Sequence, residues 1–250
     1  MIVDADLLER RVRHRRDMLR ASLAFGATLI VGCAREAATA HDRVGPVNPD
    51  GPDDISPTED LMREHGLLNR MLLLYDECAR RIEGQLDLRA DVLPSVARMI
   101  RTFVVEYHEK LEEEHVFPRF EQSLTHVDLV RTLREQHAVG RKITAAIEQM
   151  TSGAPVTKKD DKKRLAFYVR SFTRMYRPHE AREDTVLFPD FRALLTPKEL
   201  DTLGIEFERR ERELFGDNGF EKQVAEIDQL EIALEMHDLG QFTPGGADLR

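Results

Sequence analysis

The segments HEKLEEEHVFPRF (His108–Phe120) and HEAREDTVLFPDF (His179–Phe191) decide the fold. Six of their 13 aligned positions are identical: the His, the Glu beside it, the Glu four residues on, and the closing Phe, Pro and Phe. They stand at an offset of 71, from 108 to 179. A second pair repeats almost in step, because His65 (in Glu64-His65) and His137 (in Glu135-Gln136-His137) are 72 apart. The simplest account is two similar helical hairpins related by a pseudo-twofold axis. Each carries one His on its first helix and a His-x-x-x-Glu on its second.

Positions i and i+4 share a helix face about one turn apart. His108 with Glu112, and His179 with Glu183, can therefore chelate. Imidazole nitrogens with carboxylate oxygens suit iron, manganese or zinc. Each Glu has two oxygens and can bridge two ions. One ion then takes His65 and His108, the other His137 and His179, and both share Glu112 and Glu183. Such an ion holds four protein donors. Zinc is content with four, whereas an ion preferring five or six keeps room for water, oxo or a small molecule. A lone helical His is more often structural than a ligand; the joint register of four His and two Glu carries the metal reading.

Other residues of the repeat read differently. His115 and His126 have no counterpart and read as surface residues. Glu109 and Glu180 repeat but turn about 100° from the His face, which suits a surface or supporting role, with an extra oxygen ligand as the alternative. Phe117, Phe120, Phe188, Phe191 and Tyr176 read as core, and Pro118 and Pro189 are expected to kink or end their helices. Pro178 removes a backbone donor just before His179.

Working outward, Ser56-Pro57 with Glu59 forms a capping-box start. Helices are expected from Pro57 to about Glu83, Asp91 to Phe120, Val127 to Met150 and Lys162 to Phe191, with a loop around Gly153 and Pro155. A further helix runs from Thr196-Pro197 to about Leu214, and a weaker one from Phe220 to Glu235. Four long helices with short connections predict an all-α antiparallel four-helix bundle with extra C-terminal helices. A hydrophobic content of 41% supports a packed core. The net charge of −9 argues against nucleic acid as a partner. Cys33 and Cys78 lack metal-type spacing, and Cys78 reads as a buried small hydrophobe.

The N-terminus reads as an address. Arg10 to Arg20 is basic, and Ala21 to Val31 is an uncharged apolar stretch too short to span a bilayer. Arg15-Arg16-Asp17-Met18-Leu19-Arg20 resembles a twin-arginine export signal, and Ile30-Val31-Gly32-Cys33 resembles a bacterial lipobox. Residues 1–33 are therefore expected to be an export signal, with membrane attachment through lipidated Cys33 in a periplasmic or membrane-anchored protein. Residues 34–55 are expected to form a flexible linker, 56–195 the metal domain, and 196–250 a helical extension and tail.

Asp60-Leu-Met-Arg-Glu-His65, His108-x-x-x-Glu112-Glu113, Arg134-Glu-Gln-His137 and His179-x-x-x-Glu183-Asp-x-x-Leu-Phe-Pro189 resemble the hemerythrin-like, or HHE cation-binding, domain from about Ser56 to Leu195. The resemblance implies two iron ions in an oxo- or hydroxo-bridged centre that binds dioxygen or a related small molecule. The oxygen-carrier members use five His, one Glu and one Asp, with two His four residues apart on one helix. Here Arg141 stands four after His137, and Glu183 fits the repeat better than Asp184. The chain resembles the four-His, two-Glu branch, associated with nitric-oxide and oxidative-stress responses, iron-centre repair and sensing. This argues against reversible oxygen carriage. The functions weighed are a di-iron protein acting on dioxygen, nitric oxide or peroxide, a non-enzymatic iron or oxygen sensor or iron-handling protein, and a metal-free structural bundle. No Ser-His-Asp set or phosphate loop is present.

Overall fold

The computed structural model describes residues 55–153 and 155–245. The export-like region, the Cys33 lipobox and nearly all of the linker lie outside the described residues. Every element among the described residues is helical.

Helix α1 (Pro57–Gly84) starts at Ser56, whose hydroxyl accepts from the Glu59 amide while the Glu59 carboxylate accepts from the Ser56 amide. It stops at Gln85, which takes the left-handed conformation at φ 53°. Helix α2 (residues 92–123) strings together Val92–Met99, a π-helical Ile100–His108, Glu109–Leu111, a second π turn Glu112–Val116, and Phe117–Ser123. Helix α3 is Val127–Thr151. Helix α4 (residues 159–194) comprises Lys159–Arg182, a π turn Glu183–Leu187, and Phe188–Leu194.

Of the two outcomes expected at Pro118 and Pro189, a kink or an end, neither proline ends its helix. Proline lacks an N–H and clashes with the carbonyl four residues back. Both helices absorb this with a π turn in front of the proline, where the Phe117 amide donates to the Glu112 carbonyl and the Phe188 amide to the Glu183 carbonyl. The two wide turns sit at matching points of the repeat, and each begins at a candidate ligand.

Helix α1 packs along α4, α4 along α3, α3 along α2, and α2 back on α1, which closes the antiparallel bundle. Its interior holds Leu61, Leu68, Met71, Tyr75, Cys78, Val96, Phe103, Val169, Phe172 and the four Phe of the repeat. The extension forms α5 (Pro197–Phe215) and α6 (Gly219–Ala233). Both lie against α1 and α2. Arg63, Leu67, Arg70 and Leu74 fall on one face of α1 at helical spacing. On that face Arg63 stacks over Phe220 at 4.4 Å, and Arg70 binds Glu231 and Asp228. Phe207, Ile227 and Leu234 are buried in the same core as the bundle.

Candidate metal centre

The structure brings His65, His108, Glu112, His137, His179 and Glu183 together in the bundle interior, each at most 4% exposed. Helix α1 supplies His65, α2 supplies His108 and Glu112, α3 supplies His137, and α4 supplies His179 and Glu183. The imidazoles form two pairs. His65 Nε2 lies 3.0 Å from His108 Nε2, and His137 Nε2 lies 3.1 Å from His179 Nε2.

The two carboxylates stand between the pairs. Glu112 Oε1 is 3.5 Å from His108 Nε2, while its Oε2 is 3.5 Å from His137 Nε2. Glu183 Oε2 is 3.5 Å from His65 Nε2 and 3.2 Å from His179 Nε2. All four carboxylate oxygens are buried and have no hydrogen-bond partner. Burial of an unpaired carboxylate is costly, so two such carboxylates facing four imidazole nitrogens fit a bound cation. Within it, burial and the neighbouring Glu112 push the Glu183 carboxyl well above the usual range. Burial also raises Glu112, but His108 and His137 more than offset it and hold it below the usual carboxylate range. Burial, then His137, lowers His179 to about 3.

The outer imidazole nitrogens are all occupied. His65 Nδ1–H donates to Asp184 at 2.7 Å, and His108 Nδ1–H to Glu64 at 2.7 Å. His137 Nδ1–H donates to Glu113 at 3.2 Å, and His179 Nδ1–H to the Gln136 side-chain Oε1 at 2.8 Å. An acceptor at Nδ1 fixes the proton there and leaves the Nε2 lone pair pointing inward for a metal. Sequence reasoning gave these four partners no such role. Their signal was present, since each adjoins a candidate ligand and they repeat from 64 to 136 and from 113 to 184.

Other residues depart from expectation. Glu109 and Glu180 are buried, at 0% and 3% exposure, which excludes the surface placement and leaves the supporting one. Glu109 accepts from the Tyr176 hydroxyl at 2.5 Å and from Arg141 at 2.8 Å. Arg141 also donates to Glu113 at 2.8 Å, and Lys110 does so at 2.9 Å. Glu180 Oε2 has no partner, and burial followed by Asp184 raises that carboxyl to about 8. Tyr176 is core, as expected, with its ring stacked on Phe172 at 4.1 Å. His115 is half-buried beside Phe207 of α5, and His126 pairs with Asp190 at 2.6 Å. Phe188 stacks on His65, and Phe117 lies against His137, each at 5.4 Å. These rings wall the cluster from water.

Two imidazole pairs facing two shared carboxylates inside a helical bundle define a buried cation-binding site. The hemerythrin HHE cation binding domain model matches residues 56–191, and the chain belongs to that family. It is 36% identical to proteins of Mycobacterium bovis and Mycobacterium tuberculosis, described only as uncharacterized, over 231 residues. That likeness covers 92% of this chain and 91% of the relatives, so it extends beyond the family match. No solved structure matches the chain.

Proposed function

We propose that this chain is a non-haem di-iron protein that binds or reacts with dioxygen, nitric oxide or peroxide. The observation that carries the proposal is the pair of buried, partnerless carboxylates, each reaching a histidine of both pairs. His65 and His108 would hold one iron, His137 and His179 the other, and Glu112 and Glu183 would join them. Iron so held has ligand positions to spare and supplies small-molecule binding and electron transfer.

The chain's own residues do the rest. Asp184, Glu64, Glu113 and Gln136 hold the Nδ1 protons and fix the rings. Phe117 and Phe188 exclude water. No catalytic acid or base is needed for ligand binding, and the enclosed site favours a ligand of a few atoms over an organic substrate.

The test starts from the full chain purified without oxygen. Iron per chain is measured, and the near-ultraviolet and visible spectrum is recorded before and after air, then nitric oxide. Two irons per chain, lost in His108→Ala and Glu183→Ala, with a new charge-transfer band on gas exposure, are expected. Iron far below one ion per chain after reconstitution would overturn the proposal.

A further inference from the structure

The repeat makes the centre look symmetric, yet its surroundings are not. Around His65 and His108 the Nδ1 partners are Asp184 and Glu64, both carboxylates. Among the described residues no Lys or Arg donates to either of them, or to the buried Glu180 nearby. Around His137 and His179 the partners are Glu113 and the neutral amide Gln136. Glu113 there is bound by both Arg141 and Lys110, and Arg141 also holds Glu109.

The asymmetry lies in the sequence of the repeat itself. At the positions matching Arg141, Lys110 and Tyr176, the first half of the centre has Asn69, Ala181 and Val105. At the position matching Gln136 it has Glu64. The Asn69 amide only donates to the His65 carbonyl at 3.3 Å. One imidazole pair therefore has two carboxylates behind it without a bound cation. The other has Glu113 and the Gln136 amide, with Glu109 4.0 Å from His137 Nδ1, and an arginine and a lysine bound to those carboxylates.

A carboxylate behind a ligating imidazole raises the ring's basicity and its hold on a metal. A cation at the same distance weakens that hold, and in a buried site neither effect is screened as it is in water. We infer that the two metal positions are unequal: the His65–His108 position binds its ion first and more tightly, with Glu64 and Gln136 as the positioning residues that set the difference. The inference rests on the two-metal reading above and deepens it. It also gives Arg141 a role, as a fixed positive charge that loosens the His137–His179 position.

The test uses Co(II) alone, titrated into the metal-free full chain against a chromophoric chelator, with the visible d–d band as a second readout. Stepwise constants in the unaltered chain do not decide the matter, because two cations sharing carboxylates repel each other. The variants do. Glu64→Gln is expected to weaken the tighter constant by about 10-fold to 100-fold and to leave the looser one, as removal of such a partner does elsewhere. Gln136→Glu is expected to tighten the looser constant and narrow the gap. His137→Ala should keep one tight ion, and His65→Ala one loose ion. If Glu64→Gln weakens only the looser constant, or the two half-site variants bind equally, the inequality is overturned while the two-metal reading stands. Fewer than two Co(II) bound by the unaltered chain overturns that reading and the inference together.

Discussion

Gly140 offers the sharpest test of how the centre is packed. It lies on α3, and a Cβ built there would come within 2.1 Å of the Tyr176 hydroxyl and 2.8 Å of two of its ring carbons. The ring cannot retreat freely, because it is 1% exposed and stacked on Phe172. In an ordinary helix Gly→Ala stabilises by roughly 0.5–1 kcal/mol. Here Gly140→Ala overpacks the core, at about 1–3 kcal/mol. It also pulls the hydroxyl from the buried Glu109 carboxylate, a bond worth about 1.5–3 kcal/mol. The expected net loss is about 2–5 kcal/mol. At roughly 2–4 °C per kcal/mol for a domain of this size, Tm should fall by about 5–15 °C in a thermal scan of the metal-free protein. Tyr176→Phe removes the atom of closest approach, so the double variant should lose less than the sum of the two single changes. A Gly140→Ala protein as stable as the parent, or more so, would refute the packing argument.

Further outcomes follow from other parts of the molecule. Chelating the metal should lower Tm, since an ion at 100 times its Kd stabilises by about 2.7 kcal/mol per site; an unchanged Tm with EDTA would count against a folded-state metal. Asp60 has its carboxyl raised from 3.8 to about 7, by burial and then by Glu64. The folded chain then holds a proton that the unfolded chain releases near pH 4, so this group costs stability as pH rises through that window. Asp60→Asn should therefore raise Tm above pH 7 by a few degrees, for about 1–2 kcal/mol, and change nothing near pH 4; an equal gain at both pH values would refute the assignment. Phe207 is the residue of α5 buried in the bundle's core, 1% exposed, and Phe207→Ala should cost about 3–5 kcal/mol. A negligible loss in a denaturant titration would show that the C-terminal helices do not share the bundle's core.

The all-α fold was legible because its determinants are local and periodic. Ser56, Pro57 and Glu59 mark the start of α1 by backbone chemistry that needs no neighbour. The six candidate ligands were legible for a related reason. The repeat offset of 71 to 72 places chemically matched residues on matched helices, and a four-residue step settles which share a face. Glu64, Gln136, Glu113 and Asp184 were in view in the same repeat, but their roles depend on which helix lies opposite, and local spacing does not carry that.

Only the tertiary structure decided the remainder. Pro118 and Pro189 could end a helix or be absorbed within it, and the π turns at Glu112–Val116 and Glu183–Leu187 carry both helices on past the proline. Burial of Glu109 and Glu180 was left open, since a charged residue one position from a ligand can be solvated or supporting until another helix covers it. Arg141 on α3 meets Glu109 and Glu113 on α2 across 32 and 28 residues of chain. A charge that distant in sequence becomes a neighbour only through packing, and that packing makes the two halves of a repeated sequence electrostatically different.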